Sequence, residues 1–186
     1  MLIQCYSKVI SNCFSRFFKL VGTVFGFVAK DIESKLVILN EHRTSSSASQ
    51  YHTILGMLSY EQEQGLVHAK TTPPSGARTL LRLHRALEFI LEFMNQLATT
   101  NDSAKTAEIA GDVYERTLAQ YHPWIVRKMA YMAMYTLPNK QQLIEKMCKQ
   151  PKEEVIDLMH ETVKQGQPIF TATQRFYIER GLLDLP

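Results

Sequence analysis

Hydrophobic positions recur along most of this chain at spacings of three and four residues, which is typical of amphipathic helices. The strongest pattern runs from Arg78 to Leu97, about five turns of helix that are apolar over most of their circumference. Proline- and glycine-containing stretches separate this segment from the other periodic segments. No segment alternates as a strand does. We therefore predict an all-α protein with about eight helices.

Three cations and then three apolar residues share one narrow face of this segment: Arg78, Arg82 and Arg85, followed by Ala86, Phe89 and Phe93. Ser75 is a candidate N-cap, which places the cations near the helix N-terminus, where each is disfavoured by about 0.3–1 kcal/mol. An anion bound at that end would reverse this penalty. The alternative is a solvated basic face, balanced by Glu88 and Glu92.

A second strong helical pattern runs from Gly22 to Asn40, and one face of it carries Val24, Phe27, Asp31 and Lys35. Asp31 and Lys35 are four residues apart and can form a surface ion pair worth about 0.3–0.5 kcal/mol. Ile38 and Leu39 follow closely. A solvated face is not usually flanked by apolar residues, so this arrangement favours a binding role for the pair.

The remaining segments are shorter, and most of them end at recognisable breaks. We predict helices over residues 5–20 and from Tyr51 to Val67, and a helix that Ser103 or Asp102 caps and that ends near Gln120. His122 precedes a proline and should lie at a break, with Pro123 opening the next helix. Further breaks are predicted at residues 137–139, 150–151 and 166–168.

Composition is that of an ordinary globular protein, with 186 residues, 45% hydrophobic residues, 21% charged residues and a net charge of +3. This length suits one domain, and the charge is too small to indicate nucleic acid. Three cysteines make no disulfide framework, which favours a reducing compartment. Lys8, Arg16 and Lys19 interrupt the N-terminal segment, which is therefore a poor secretory signal. We expect a cytoplasmic protein.

No enzyme motif, cofactor motif or metal-ligand spacing is present, so we expect a protein without catalytic residues, cofactors or bound metal. A thiol nucleophile at Cys148 has no local support. His84 falls away from the arginines on its helix, and we interpret it as a packed or surface histidine.

Four stretches together resemble the glycolipid transfer protein superfamily, in particular its branch that carries phosphorylated sphingolipids. They are VFGFVAKDIESKL, SGARTLLRLHRAL, YHPWIVRKMA with TLP after it, and the terminal LLDLP. The resemblance covers about Phe14 to Pro186, within a single domain of residues 1–186 in which residues 1–13 match poorly. It implies a two-layer helical sandwich that encloses a lipid-chain pocket, and transfer of lipid between membranes, with ceramide-1-phosphate as the expected ligand.

The resemblance also implies a role for each matching residue. Asp31 would accept a hydrogen bond from the ceramide amide N–H, and His122 would donate to the amide carbonyl. The phosphate would be bound by Lys35, Arg78 and Arg82. Trp124 would contact the membrane.

Two departures from the family pattern affect these expectations. Members that carry glycolipids have an asparagine, a lysine and a sugar-stacking tryptophan where this chain has Lys35, Ile38 and Arg82, so a sugar headgroup is not expected. The chain also begins about one helix late, so that the first helix is shortened or missing. We expect this to lower stability and slow transfer.

An alternative function uses the same residues. A helical sensor or adaptor would bind anionic lipid at the basic site without transferring it, and the sequence does not separate the two. In either case we expect a monomer that makes transient peripheral contact with intracellular membranes (Golgi, endosomal, plasma or nuclear) and binds no nucleic acid.

Overall fold

Eight α-helices make up most of the chain that the computed structural model describes, which comprises residues 1–21, 26–147 and 151–186. They are α1 (Ile3–Val21), α2 (Gly26–Thr44), α3 (Ile54–Glu63), α4 (Gly76–Thr99), α5 (Thr106–Thr117), α6 (Trp124–Tyr135), α7 (Lys140–Met147) and α8 (Lys152–Glu179). Short 3-10 turns lie at Ala48–Tyr51 and Ala119–Tyr121. Within the described ranges the only β pairing is an isolated bridge between Leu2 and Thr53. The all-α prediction is confirmed.

Helix α4 is the centre of the fold, and it packs against α1, α2, α3, α5 and α8. This explains why its sequence is apolar over most of its circumference, because a helix that is surrounded by others has no wide solvated face. Its bounds extend the predicted segment by two residues at each end. Ser75 is the N-cap, as predicted, and its hydroxyl accepts a hydrogen bond from the Arg78 N–H at 3.2 Å.

Helix α1 packs against α2, α4, α7 and α8. Its buried side chains recur at helical spacing and line one face: Ile3, Tyr6, Ile10, Cys13, Phe14 and Phe17. The ring of Phe17 packs nearly perpendicular to the rings of Phe89 and Phe93, at centroid distances of 6.0 and 5.8 Å. A packed helix of 19 residues therefore lies where the sequence predicts a helix over residues 5–20.

Helix α8 is continuous through Pro168, so the predicted break at residues 166–168 is wrong. Its buried residues form one face along the whole length: Val155, Met159, Thr162, Gly166, Thr173 and Tyr177. Gly166 lies so close to α4 that a Cβ there would come within 2.5 Å of Leu91 Cδ2. Packing against α4 outweighs the local tendency of proline to end a helix.

Helix α5 begins later than predicted, at Thr106, with Lys105 at its N-cap position. The two candidate caps have other partners. Asp102 pairs with Lys152 at 2.5 Å, and the Ser103 hydroxyl donates to Asn101. The loop before α5 is therefore fastened to α8 instead of capping the helix.

An open cleft of about 510 Å³ lies between α1 and α2, and its lining is mainly apolar. The apolar side chains come from both helices: Phe14, Ala29, Ile32 and Leu36. None of the described helices combines the length and the apolar character that crossing a bilayer requires.

Candidate functional site

Arg78 and Arg82 lie one turn apart at the N-terminal end of α4 but differ in their surroundings. Arg78 is half-buried, and its Nη1 donates to the Ala69 carbonyl at 3.2 Å. Its Nε is buried and has no hydrogen-bond partner in the described part of the chain. Arg82 is exposed and forms no ion pair with any described residue. Both guanidinium groups therefore have donors available for an anion.

Arg85, which the helical pattern assigned to the same cationic arc, points into the protein. Its Nη2 donates to the carbonyls of Leu183 and Leu185, at 2.7 and 3.0 Å. Its guanidinium carbon lies 3.7 Å from the centre of the Tyr121 ring. Burial lowers the pKa of Arg85, with opposing contributions from nearby tyrosines and a further lowering by the adjacent arginine charge. Arg85 thus fastens the C-terminal segment to the turn that precedes His122.

Asp31 and Lys35 form the ion pair that their spacing predicts, with 2.5 Å between Asp31 Oδ1 and Lys35 Nζ. The two side chains are unequally exposed, 14% for Lys35 and 62% for Asp31. The lysine stem is therefore packed on the protein while the carboxylate faces outward. Because the carboxylate is solvated, the pair contributes little to stability.

His122 lies at the predicted break, with extended backbone angles (φ −106°, ψ 134°) between the turn at Ala119–Tyr121 and α6. Its pKa is lowered, chiefly by burial. The Asp31 carboxylate opposes this lowering and the Lys35 ammonium adds to it. Two charges on α2 thus act on an imidazole that is some ninety residues later in the chain. The fold brings these three predicted residues to one place.

Tyr114 fixes the orientation of this imidazole, because its hydroxyl lies 2.7 Å from His122 Nδ1. Burial raises the pKa of Tyr114 to about 12, so the phenol stays protonated and can donate to Nδ1. We assign the neutral imidazole proton to Nε2 on this basis. Sequence reasoning missed Tyr114, since its position on the buried face of α5 is that of any core aromatic residue.

The anion predicted at the N-terminus of α4 is a side chain of the protein itself. Glu61 is fully buried, and its carboxylate accepts from Gly76 N–H at 2.6 Å and from Ala77 N–H at 2.9 Å. The Arg78 N–H is already bound to Ser75. Sequence reasoning missed Glu61, because the surrounding stretch EQEQ is typical of a solvated helix end. The first-turn amides are therefore not free for a ligand.

Helix α6, which follows His122, presents an apolar face to solvent. Its exposed large side chains are Trp124, Ile125, Val126, Met129, Met132 and Tyr135. Trp124 is 60% exposed, and Lys128 Nζ lies 4.1 Å from the centre of its ring. So much exposed apolar surface on one short helix is typical of a contact site.

The other candidates take no part in this site. His84 is buried, as one of its two interpretations required; its Nε2 lies 2.7 Å from Gln174 Oε1, and its ring stacks on Phe170. Val24 and Cys148 lie outside the described residues, and so does the side chain of Phe27.

The fold and the site together define a helical binding protein in which a cluster of polar side chains lies beside an apolar core. The chain belongs to the glycolipid transfer protein family, whose model, "Glycolipid transfer protein (GLTP)", matches residues 2–149. This match begins earlier than the Phe14 that the motifs indicated, and it includes most of residues 1–13. Members of this family have a two-layer helical sandwich fold and are not enzymes, and this chain shares both properties.

Individual relatives show a branch of the family to which this chain is similar. The human ceramide-1-phosphate transfer protein is 36% identical over 174 residues, which cover 92% of this chain and 81% of the relative. The crystal structure of the mouse protein without ligand superposes with a TM-score of 0.88, at 34% identity, over 100% of this chain and 91% of the other. The human protein in complex with 12:0 ceramide-1-phosphate gives a TM-score of 0.89, at 34% identity, over 100% and 90% of the two chains.

Proposed function

We propose that this protein transfers a phosphorylated sphingolipid, ceramide-1-phosphate in the first place, between membranes without altering it chemically. The observation that carries the proposal is the convergence of Asp31, Lys35 and His122 beside the helix that bears Arg78 and Arg82. The relatives support it, since they are named for transfer of this lipid and one was solved with it bound.

The amide of the lipid needs one acceptor and one donor. The exposed Asp31 carboxylate accepts from the amide N–H, and His122 donates its Nε2–H to the amide carbonyl. The Tyr114 hydroxyl at Nδ1 supports this assignment, because it holds the imidazole in the tautomer that donates. The lowered pKa keeps this imidazole neutral at pH 7.

The phosphate is bound by the side chains of Lys35, Arg78 and Arg82. A phosphate monoester carries about −1.5 to −2 charges at pH 7, and guanidinium groups are its strongest partners in proteins. Arg78 has an unpartnered Nε and Arg82 has no ion pair within the described chain, so both gain contacts from the ligand. Main-chain amides of α4 take no part, because Glu61 and Ser75 already bind them.

The hydrocarbon chains enter the apolar interior next to this site. Exposing a chain of about sixteen carbons to water costs roughly 12 kcal/mol, at about 0.8 kcal/mol per methylene, so a carrier must enclose it. In this structure Phe17 packs against Phe89 and Phe93, which follow the arginines along α4. Entry of a chain there separates α1 from α4. The headgroup site then decides which lipid is taken up.

The protein meets membranes peripherally through the exposed face of α6. Trp124 leads this face, two residues after His122, so a bilayer in contact with it lies next to the headgroup site. Aromatic residues favour the interface between lipid headgroups and acyl chains. We propose a cytoplasmic monomer that visits intracellular membranes in this way.

Transfer between vesicles tests this function. Donor vesicles carry a fluorescent ceramide-1-phosphate or a fluorescent glucosylceramide with the same chains, and arrival in acceptor vesicles is followed over time. We expect the protein to move the phosphorylated lipid and not the glycolipid. Equal transfer of both would contradict the phosphate assignment. Binding of ceramide-1-phosphate without transfer would establish the sensor function in place of the carrier.

A further inference from the structure

The buried carboxylate of Glu61 accepts hydrogen bonds from three donors in two other parts of the chain. Besides the amides of Gly76 and Ala77 at the start of α4, it accepts a hydrogen bond from the Tyr51 hydroxyl at 2.9 Å. All of these groups are buried. A charged acceptor with several short hydrogen bonds in the interior fixes the position of its donors more firmly than a neutral one does.

The contact network continues from Tyr51 to the end of α2. The Tyr51 ring stacks on the imidazole of His42, in the last turn of α2, with 4.8 Å between centroids. His42 Nε2 in turn lies 2.8 Å from the carbonyl of Pro74, just before α4. The network therefore closes on itself and connects the end of the helix with Asp31 and Lys35 to the start of the helix with the arginines.

Close packing at the start of α4 shows how little freedom this junction has. A Cβ on Gly76 would lie 2.6 Å from Met57 Sδ and 3.3 Å from the Glu61 carboxylate. A side chain at this position would meet Met57 first, so glycine lets the start of α4 pack closely against α3. Arg78 follows two residues later, so a shift of this turn moves its guanidinium group by a similar amount.

We propose that Glu61 is a positioning residue of the phosphate site, whose carboxylate holds the first turn of α4 so that Arg78 and Arg82 face Lys35 at a fixed spacing. The Glu61 carboxylate also occupies the N-terminus of α4, where an anion would otherwise bind. The phosphate is therefore bound by side chains alone. This proposal rests on the proposed function, because it concerns the phosphate that the cations bind.

Glu61→Gln tests the proposal, because the amide keeps the shape of the side chain but its NH₂ group cannot accept from a backbone N–H. The measured quantity is the ratio of the Kd for ceramide to the Kd for ceramide-1-phosphate with the same chains, in vesicles of otherwise identical composition. We expect Glu61→Gln to lower this ratio about tenfold, the effect of weakening one charge-assisted contact. Affinity for ceramide itself should change little.

Lys140→Met is the matched control. Lys140 is buried and donates to the Thr100 carbonyl at 2.6 Å, so it satisfies the C-terminal end of the same helix, about 35 Å from Glu61 along the axis. Its loss should lower the melting temperature and leave the lipid ratio unchanged. Tyr51→Phe is a milder second variant, which removes one hydrogen bond to Glu61 and should lower the ratio by less than Glu61→Gln does.

The outcomes separate the two proposals. If the wild-type protein binds both lipids equally, the proposed function fails, and the role of Glu61 falls with it. If the wild type prefers ceramide-1-phosphate but Glu61→Gln keeps that ratio, Glu61 is structural only and the positioning role is overturned. If Glu61→Gln does not fold, the ratio of Tyr51→Phe decides, and an unchanged ratio there overturns the role as well.

Discussion

Replacing Arg82 with alanine should separate ligand binding from stability. The Arg82 side chain is exposed and has no ion pair in the described chain, so its truncation breaks no ion pair there. Its charge lies close enough to Arg85 to lower the pKa of that buried guanidinium, and it lies near the positive end of the helix dipole. We expect a change in the free energy of unfolding within about 0.5 kcal/mol, towards higher stability.

The same substitution should weaken lipid binding strongly. One charge-assisted contact to the phosphate contributes about 1.5–3 kcal/mol, which corresponds to roughly a tenfold to hundredfold increase in Kd. Thermal unfolding without lipid and equilibrium binding to vesicles with ceramide-1-phosphate measure the two effects. Arg175→Ala, which removes an exposed arginine on α8, is the control and should leave the Kd unchanged.

Arg78→Ala offers a contrast with Arg82→Ala. Arg78 donates to the Ala69 carbonyl, so its loss should lower stability by about 0.5–1.5 kcal/mol as well as weaken binding.

Two results for Arg82→Ala would refute the reasoning. One is a normal affinity for ceramide-1-phosphate. The other is a loss of more than about 1 kcal/mol of stability, because it would show that the Arg82 side chain has a structural partner.

Three further predictions concern helix packing, pH and the amide site. Gly166→Ala should destabilise the protein by about 1–3 kcal/mol in chemical denaturation, because its Cβ would meet Leu91. Gly111→Ala is the contrast: its Cβ has room, and alanine restricts the unfolded chain more than glycine does, so it should stabilise the protein by about 0.4–1 kcal/mol. Burial lowers the pKa of His84 to about 4, so between pH 6.5 and 4 the unfolded state binds the extra proton and stability should fall by about 3 kcal/mol as the pH falls. His84→Gln should flatten this part of the stability profile, and an unchanged slope would contradict the assignment. Asp31→Val should abolish lipid uptake while the melting temperature stays within a few degrees, since the carboxylate is exposed; normal uptake would rule out its role at the amide.

Sequence reasoning predicted the helices with a long and regular pattern, and it failed where distant contacts decide the outcome. The bounds of α4 were predicted within two residues, because its apolar positions continue without interruption. The break expected near Pro168 is absent, because the face of α8 that contains Gly166 packs against α4, and a local rule does not include that contact.

The candidate site shows the same difference between features set by local spacing and features set by distant contacts. The spacing of Asp31 and Lys35 predicts their ion pair, and Pro123 predicts the break at His122. The direction of Arg85 could not be predicted, because it depends on carbonyl groups about one hundred residues later in the chain. Glu61 was missed for a similar reason, since its partners follow in α4 after a loop.

The lipid that the protein carries in cells tests the central claim most directly. The full chain is purified from a sphingolipid-containing cell under conditions that preserve bound lipid, and the extracted lipids are identified by mass spectrometry. We expect ceramide-1-phosphate or a related phosphosphingolipid in the wild-type protein, and its loss from the double variant Arg78→Leu, Arg82→Leu. A glycosylceramide or another phosphate-free lipid as the main ligand, retained by the double variant, would contradict the account.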